Sequence, residues 1–302
     1  MNSLLTKIVL SLLILFSVTT LTSFHTGPGK KRQKPVIKTI IVDAGHGGRA
    51  AGAKGKYSYE KNVCLAIALK LGKKIEEELP DVKVVYTRTS DVFVDNRIRA
   101  DRANTSKGDL YISIHANSVR KIEHRKKVGT KKEVYYTGKG KNRKKRTRIV
   151  PRYKIYYSDN PAHGTETYIW AADRTDEKGD FVNERMSEEG DSTEYTPDIN
   201  DPEFKAKSLL WTKRFFDKSL MLATMVEEEF EKGGRLSRGV KQRNDEGIWV
   251  LQATAMPSIL VETGFISHRG DEDYLNNKKG QDELVTQILR AVKRYKATLE
   301  GK

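Results

Sequence analysis

The chain has 302 residues, 37% apolar and 32% charged, with 56 Lys and Arg against 40 Asp and Glu for a net charge of +16. Its single cysteine, Cys64, excludes an intramolecular disulfide, so the core and any bound metal must hold the fold rather than covalent cross-links. The positive charge suggests a nucleic-acid partner only until its distribution is traced: between Arg120 and Lys154, sixteen Lys and Arg stand against two Glu, a local net of +14.

Lys7 precedes an apolar run from Ile8 to Val18, shorter than the ~20 residues a membrane span needs and suited to the apolar part of a secretory leader. Residues 1–25 therefore read as a signal peptide or, because no Ala-x-Ala cleavage site follows, an N-terminal anchor; residues 26–35 read as a linker. Export to the periplasm or cell envelope is the expectation. The remaining chain, 36–302, is long enough for one large domain with a well-buried core.

Val36 to Val42 is a β-branched run that ends at the Gly-rich turn Gly45-His46-Gly47-Gly48, the pattern of a buried strand with functional residues at its carboxyl end. From Glu60 to Leu79 the apolar residues Val63, Ile67, Leu71 and Ile75 recur every fourth position, one face of an amphipathic helix that Pro80 stops. Cys64 lies beside that face and reads as a small buried hydrophobe. Val82 to Thr87 supplies the next strand, completing a strand-helix-strand unit with an expected right-handed parallel crossover. A short helix follows over Asn96–Asn104, then a strand over Leu110–His115 and another over Gly164–Trp170.

A long helix is predicted over Lys205–Lys232, stopped by Gly233-Gly234 and packing through Leu209, Phe216, Leu220 and Phe230. Ser258–Val261 is a short apolar strand with Glu262 directly after it, and Asp282–Leu299 a last helix bearing Leu284, Ile288, Val292 and Tyr295 at helical spacing. Alternating strands and helices predict an α/β fold, a single domain with a mixed, mostly parallel sheet covered by helices on both faces. No internal repeat of a solenoid or tandem module is present.

Two charged blocks interrupt this pattern: a basic insertion over 119–162 and an acidic insertion over 171–207. Between Asp173 and Glu203, twelve Asp and Glu stand against three Lys and Arg, a local net of −9. Like charges in series repel and bury little, so each block reads as an extended or mobile insertion.

In open α/β sheets ligands gather at the carboxyl ends of strands, where His46, His115 and Glu262 all fall, while Glu60 opens a helix. Each has a plainer reading. His46 could serve turn geometry alone, His115 could be a satisfied core residue, and Glu60 could be a first-turn acid worth about 0.3–1 kcal/mol to the helix dipole. Glu262 is the least ambiguous, because a carboxylate behind a buried apolar strand requires a partner or a function.

The motifs Val42-Asp43-Ala44-Gly45-His46-Gly47-Gly48, Tyr59-Glu60-Lys61-Asn62, Ser113-Ile114-His115-Ala116-Asn117 and Val261-Glu262-Thr263-Gly264-Phe265, in this order, resemble the zinc-dependent N-acetylmuramoyl-L-alanine amidases of the amidase-3 type. Thr87-Arg88, Asp91, Arg97, Gly164-Thr165-Glu166-Thr167 and Arg238-Gly239-Val240-Lys241 extend the likeness as structural matches. The resemblance implies that His46, Glu60 and His115 bind Zn2+ and that Glu262 is the general base. Three protein ligands of this kind leave a fourth zinc position for water, as hydrolysis requires. The implied substrate is peptidoglycan, cut at the amide between N-acetylmuramic acid and L-alanine, in wall remodelling or daughter-cell separation.

The resemblance does not cover the insertions. Septum-splitting members carry an inserted helix after the strand matching Gly164–Trp170, which blocks zinc with a carboxylate until a partner moves it. By that likeness Glu184, Glu188 or Glu189 is a candidate autoinhibitory residue, with an activator protein acting on the acidic insertion. The basic insertion is a candidate tether to an anionic envelope polymer. A catalytically inactive wall- or polymer-binding protein is the alternative, opposed by the presence of all four site residues. Nucleic acid, suggested by Tyr135, Tyr136, Tyr153, Tyr156 and Tyr157 amid the cations, is not expected behind an export leader.

Overall fold

The computed structural model describes residues 36–172, 178–183, 186, 201–244 and 247–301. The leader and linker over 1–35 and the candidate autoinhibitory residues Glu184, Glu188 and Glu189 lie outside the described residues.

Strand β1 (Thr39–Ala44) leads through the Gly-rich turn to helix α1 (Glu60–Glu78), then β2 (Lys83–Tyr86), α2 (Asn96–Thr105) and β3 (Leu110–Asn117). After two long strands, β4 (Ile122–Thr137) and β5 (Lys144–Ser158), come β6 (Thr165–Ile169), α3 (Pro202–Lys232), β7 (Ser237–Gln242), α4 (Trp249–Ala253), β8 (Ser258–Phe265), α5 (Arg269–Leu275) and α6 (Lys278–Leu299). Six strands form one sheet in the order β2-β1-β3-β8-β6-β7. The pairs are parallel except β6 with β8, which is antiparallel, so the expected mixed, mostly parallel sheet is what forms.

Alternation along the central strands divides the core into two layers. Ile40, Val42, Ile112, Ile114, Ile259 and Val261 face α1, α3 and α6, where Val63, Ile67, Leu71, Phe230, Leu284 and Ile288 are buried against them. Ile41, Tyr111 and Leu260 face the other way, onto Ala103 of α2, Leu251 of α4, Met256 and Trp170. Cys64 is buried beside the apolar face of α1. Caps fix the helix starts: Asp95 accepts from Arg97 N, Asn277 from Gly280 N, and Asp201 from Glu203 N with Pro202 at the first turn of α3.

Several expectations need correction. β3 and β8 run past their predicted ends at His115 and Val261, so His115 and Glu262 lie within strands rather than at the end of one and just after the other. α3 does not pack through Leu209 and Leu220, which are 60% and 40% exposed; its buried face is Phe204, Ser208, Thr212, Phe215, Ser219, Leu222 and Val226, together with Phe230. The small polar members of that face explain the misreading, since an apolar count passes over them. α3 also begins at Pro202, three residues before the predicted Lys205. β7, α4 and α5 were not anticipated.

The basic insertion is extended, and it is ordered as a two-stranded antiparallel hairpin of β4 and β5 from Ile122 to Ser158. Charge conceals its strand character: Val, Ile and Tyr alternate among the cations, and residues of that kind suit pleated backbone. Among the described residues, no helix is long and apolar enough to cross a membrane.

Candidate metal and catalytic centre

The His-bearing turn is packed directly onto β3. Gly45 N donates to Ile114 O at 3.0 Å, and a Cβ on Gly45 would lie 2.4 Å from ring atoms of His115, so only glycine permits this approach. His46 itself sits at φ 60°, a left-handed conformation that the surroundings must enforce. Two buried arginines do so. Arg88 donates through Nε to Ala44 O (2.9 Å) and through Nη2 to Gly45 O (2.7 Å), and Arg99 donates to the carbonyls of Ala44 and His46.

Arg99 is anchored in turn by Asp43, the acid of the same motif, through an Nη1–Oδ1 contact of 2.6 Å with both side chains buried. Asp43 also accepts from the hydroxyls of Thr87 and Ser113. Burial opposes its ionisation, but Arg99 and the two hydroxyls outweigh burial and hold its carboxyl below the ordinary value. Arg88, read from sequence as structural, is so; the Asp43–Arg99 pair was missed, although a buried acid in the motif was the available signal.

Glu60, the first residue of α1, reaches under this turn. Its Oε1 lies 3.0 Å from His46 Nε2 and 2.9 Å from His115 Nδ1, while Oε2 accepts from Ala53 N at 2.8 Å. Burial raises its pKa, but hydrogen bonds and charge from His115 and His46 more than offset this and keep the carboxylate ionised well below its usual range. The two imidazole rings stand 4.9 Å apart at 72°, and one ligating atom from each of the three residues lies within 4.8 Å of the others. Gly52, at φ 67°, leaves room here, since a Cβ on it would fall 2.6 Å from Glu60 Oε2 and 2.7 Å from His46 Cδ2. Two imidazoles and one ionised carboxylate, brought together from three elements, form a donor set that fits a divalent cation with an open position.

Glu262 shares the cavity with this cluster. It is the register partner of His115 across the parallel β3–β8 pair, so both side chains leave the same face of the sheet. Only 8% exposed, its carboxylate has one oxygen, Oε2, with no hydrogen-bond partner among the described residues. Burial, then the negative charge of Glu60, push its pKa well above the ordinary carboxyl value. The cavity is about 550 Å³, and Asn117, Arg243, Ile248 and Trp249 also line it.

Arg243, Ile248 and Trp249 were not foreseen. They come from the segment between β7 and β8, which carries no motif read from the sequence. Asn117 fixes the loop after β3 by accepting from Ser118 N; its amide donates at 2.9 Å to Glu166, which Arg238 Nε (2.6 Å) and Tyr168 OH (2.9 Å) also engage. The described part of the acidic insertion lies near. Residues 178–183 are helical, and fully buried Lys178 donates to Leu251 O within α4 and Thr254 O just beyond it, both at 2.7 Å. Phe181 meets the Trp249 ring edge-on at 6.3 Å.

Residues 40–294 match the protein family described as N-acetylmuramoyl-L-alanine amidase. The chain is 29% identical over 272 residues to the N-acetylmuramoyl-L-alanine amidase AmiC of Escherichia coli O6:H1, covering 89% of this chain and 55% of that protein. It is 29% identical to a putative N-acetylmuramoyl-L-alanine amidase of Buchnera aphidicola, covering 85% of this chain and 95% of that one. The chain thus spans about half the length of AmiC and nearly all of the Buchnera protein. Among solved structures, the N-acetylmuramoyl-L-alanine amidase from Clostridium difficile 630 superposes with a TM-score of 0.53 at 26% identity, covering 86% of this chain and 96% of that one.

Proposed function

Because the chain belongs to the N-acetylmuramoyl-L-alanine amidase family, we propose that it hydrolyses the amide bond joining N-acetylmuramic acid to the L-alanine of the stem peptide in peptidoglycan. His46, Glu60 and His115 hold zinc, and Glu262 is the general base. The carrying observation is the convergence of three ligating atoms beside a buried carboxylate with an oxygen unpartnered among the described residues. Zinc, when bound, supplies a water of lowered pKa and polarises the scissile carbonyl.

The protein's own residues divide the remaining work. Glu60, held by Ala53 N, fixes the position of both imidazoles, and Arg88 and Arg99 hold the turn that presents His46. Glu262 accepts a proton from the attacking water and returns it to the nitrogen of L-alanine as the carbon–nitrogen bond breaks, leaving a lactyl carboxylate and a free amine. Its raised pKa suits that shuttle. No Ser or Cys nucleophile is needed, and Cys64 is buried away from solvent. A catalytically inactive wall-binding protein is not favoured, since both the donor set and the base are intact.

The enzyme acts in the cell envelope, exported by the apolar leader, in wall remodelling or daughter-cell separation. Its acidic insertion is a regulatory element: Lys178 and Phe181 seat its start on and beside α4, whose Trp249 lines the cavity. An activator protein acting on that insertion would displace the carboxylate of Glu184, Glu188 or Glu189 from the centre. The basic hairpin is a tether to an anionic envelope component. Metal analysis and turnover of His115→Ala test the central assignment: zinc content and activity fall together, whereas stoichiometric zinc with normal turnover refutes it.

A further inference from the structure

The hairpin carries two different faces. Cross-strand partners point the same way and neighbours along a strand point oppositely. Along β5, Ile149, Tyr153, Ile155 and Tyr157 therefore share one face, joined by Val134 and Tyr136, which stand opposite Thr147 and Lys145. All six are well exposed: Ile149 is 68% exposed and Tyr157 60%. The other face bears more of the charge, with Lys126 opposite Lys154, Arg152, Lys131, Arg148 and Arg146, and it carries Ile122, Tyr135, Val150 and Tyr156 among them. The hairpin's two most exposed isoleucines, Ile149 and Ile155, mark the first face as the more apolar.

Among the described residues these strands pair only with each other, as a separate two-stranded sheet. At ~3.3 Å per residue the arm is about 50 Å long, and a two-stranded ribbon with no layer behind it is marginal in water on its own. An apolar stripe on such a ribbon is a surface awaiting a partner.

Charge decides which partner. From Ile122 to Ser158 the arm has fourteen Lys and Arg against two Glu, so laying it on a second copy would bring like charges within the ~10 Å Debye length. A hydrophilic polyanion would neutralise the cations but leave the isoleucines in water. A bilayer containing anionic lipid satisfies both faces: phosphates attract the cations, and the boundary between headgroups and acyl chains accepts Ile and Tyr. Arg125, Lys127, Lys132 and Lys145, on the apolar face, are long enough to bury their stems and keep their charges at headgroup level.

We propose that the β4–β5 hairpin is a membrane-docking arm that lays its Ile149–Tyr157 stripe into the interface of an anionic phospholipid bilayer. The inference rests on the reading of the basic insertion as a tether and narrows it to one surface. The arm lies outside the catalytic cavity, so docking and hydrolysis are separable.

The test is cosedimentation of the full-length protein with phosphatidylglycerol-containing vesicles, pure phosphatidylcholine vesicles, purified sacculi and a single-stranded oligonucleotide. The phosphatidylcholine arm subtracts any contribution of the apolar leader. Wild type is expected to prefer the anionic vesicles about tenfold or more, with binding that weakens steeply between about 0.1 and 1 M salt. An Ile149→Ser, Tyr153→Ser, Ile155→Ser triple variant, which keeps every charge, should lose most of that preference while its amidase activity stays unchanged. Anionic-vesicle binding unaffected by the triple variant, or wild-type binding to sacculi or oligonucleotide but not to anionic vesicles, overturns the membrane assignment and leaves a polyanion site. An Arg146→Glu, Arg152→Glu, Lys154→Glu variant that binds every surface like wild type overturns the tether reading as well.

Discussion

His115 and Glu262 are register partners on adjacent parallel strands, and that pairing places a candidate metal ligand and a buried carboxylate on one face of one cavity. The sheet, not a loop, sets their separation. A site built on paired strands is held more rigidly than one built on mobile connections.

Glu262→Gln is expected to keep zinc and the fold yet lose ~10²–10⁴-fold in turnover, because the amide preserves shape and removes the proton acceptor. Metal content by atomic spectroscopy, read beside the rate, checks this. Loss of zinc together with activity would make Glu262 a ligand.

Gly45→Ala should damage the centre from the backbone. The new methyl would meet the His115 ring at 2.4 Å, so either the turn or the imidazole must move. Weakened zinc affinity in a competition titration, with the secondary structure retained, is the expected signature.

Asp43→Asn is expected to cost about 3–5 kcal/mol in urea unfolding, since it leaves Arg99 charged and buried without its carboxylate. Its pH behaviour follows from the lowered folded-state pKa. The stabilisation is fully present above the unfolded value of 3.8 and is lost as pH falls through the folded value, so the variant should blunt the acid limb of the stability curve. An acid limb identical to wild type would remove Asp43 from that role.

Lys178 gives the opposite limb. Burial lowers its pKa from 10.5 to about 7, so between those values the unfolded chain binds one more proton than the folded one. Stability from this group therefore rises with pH across that window and is flat below it. Lys178→Met should flatten the rise, measured by urea unfolding at pH 7 and pH 10.

Replacing residues 184–200 with a short linker, which spares Lys178 and the Asp201 cap of α3, should raise basal activity on purified wall if the acidic insertion is inhibitory. A folded, zinc-loaded deletion with unchanged or lower activity would count against it.

Much of this was legible in the sequence where pattern and burial coincide. Val63, Ile67, Leu71 and Ile75 announced α1, and the β-branched runs announced β1 and β3. All four candidate site residues stood out in motifs and meet at one cavity. What escaped was set by tertiary context. β7, Ser-Arg-Gly-Val-Lys-Gln, is a half-exposed edge strand with no apolar alternation to betray it. Trp249 and Arg243 line the cavity through tertiary placement that no local pattern shows. The hairpin's β-formers were masked by the charges between them.

The most direct test of the amidase centre is digestion of purified sacculi with and without a chelator, with the released ends identified by mass spectrometry. The expected products are stem peptides with a free L-alanine amine and glycan strands with intact lactyl carboxylates, abolished by chelation and restored by added zinc. Cleavage at a glycosidic or peptide cross-link bond, or amide cleavage that survives complete removal of metal, would contradict it.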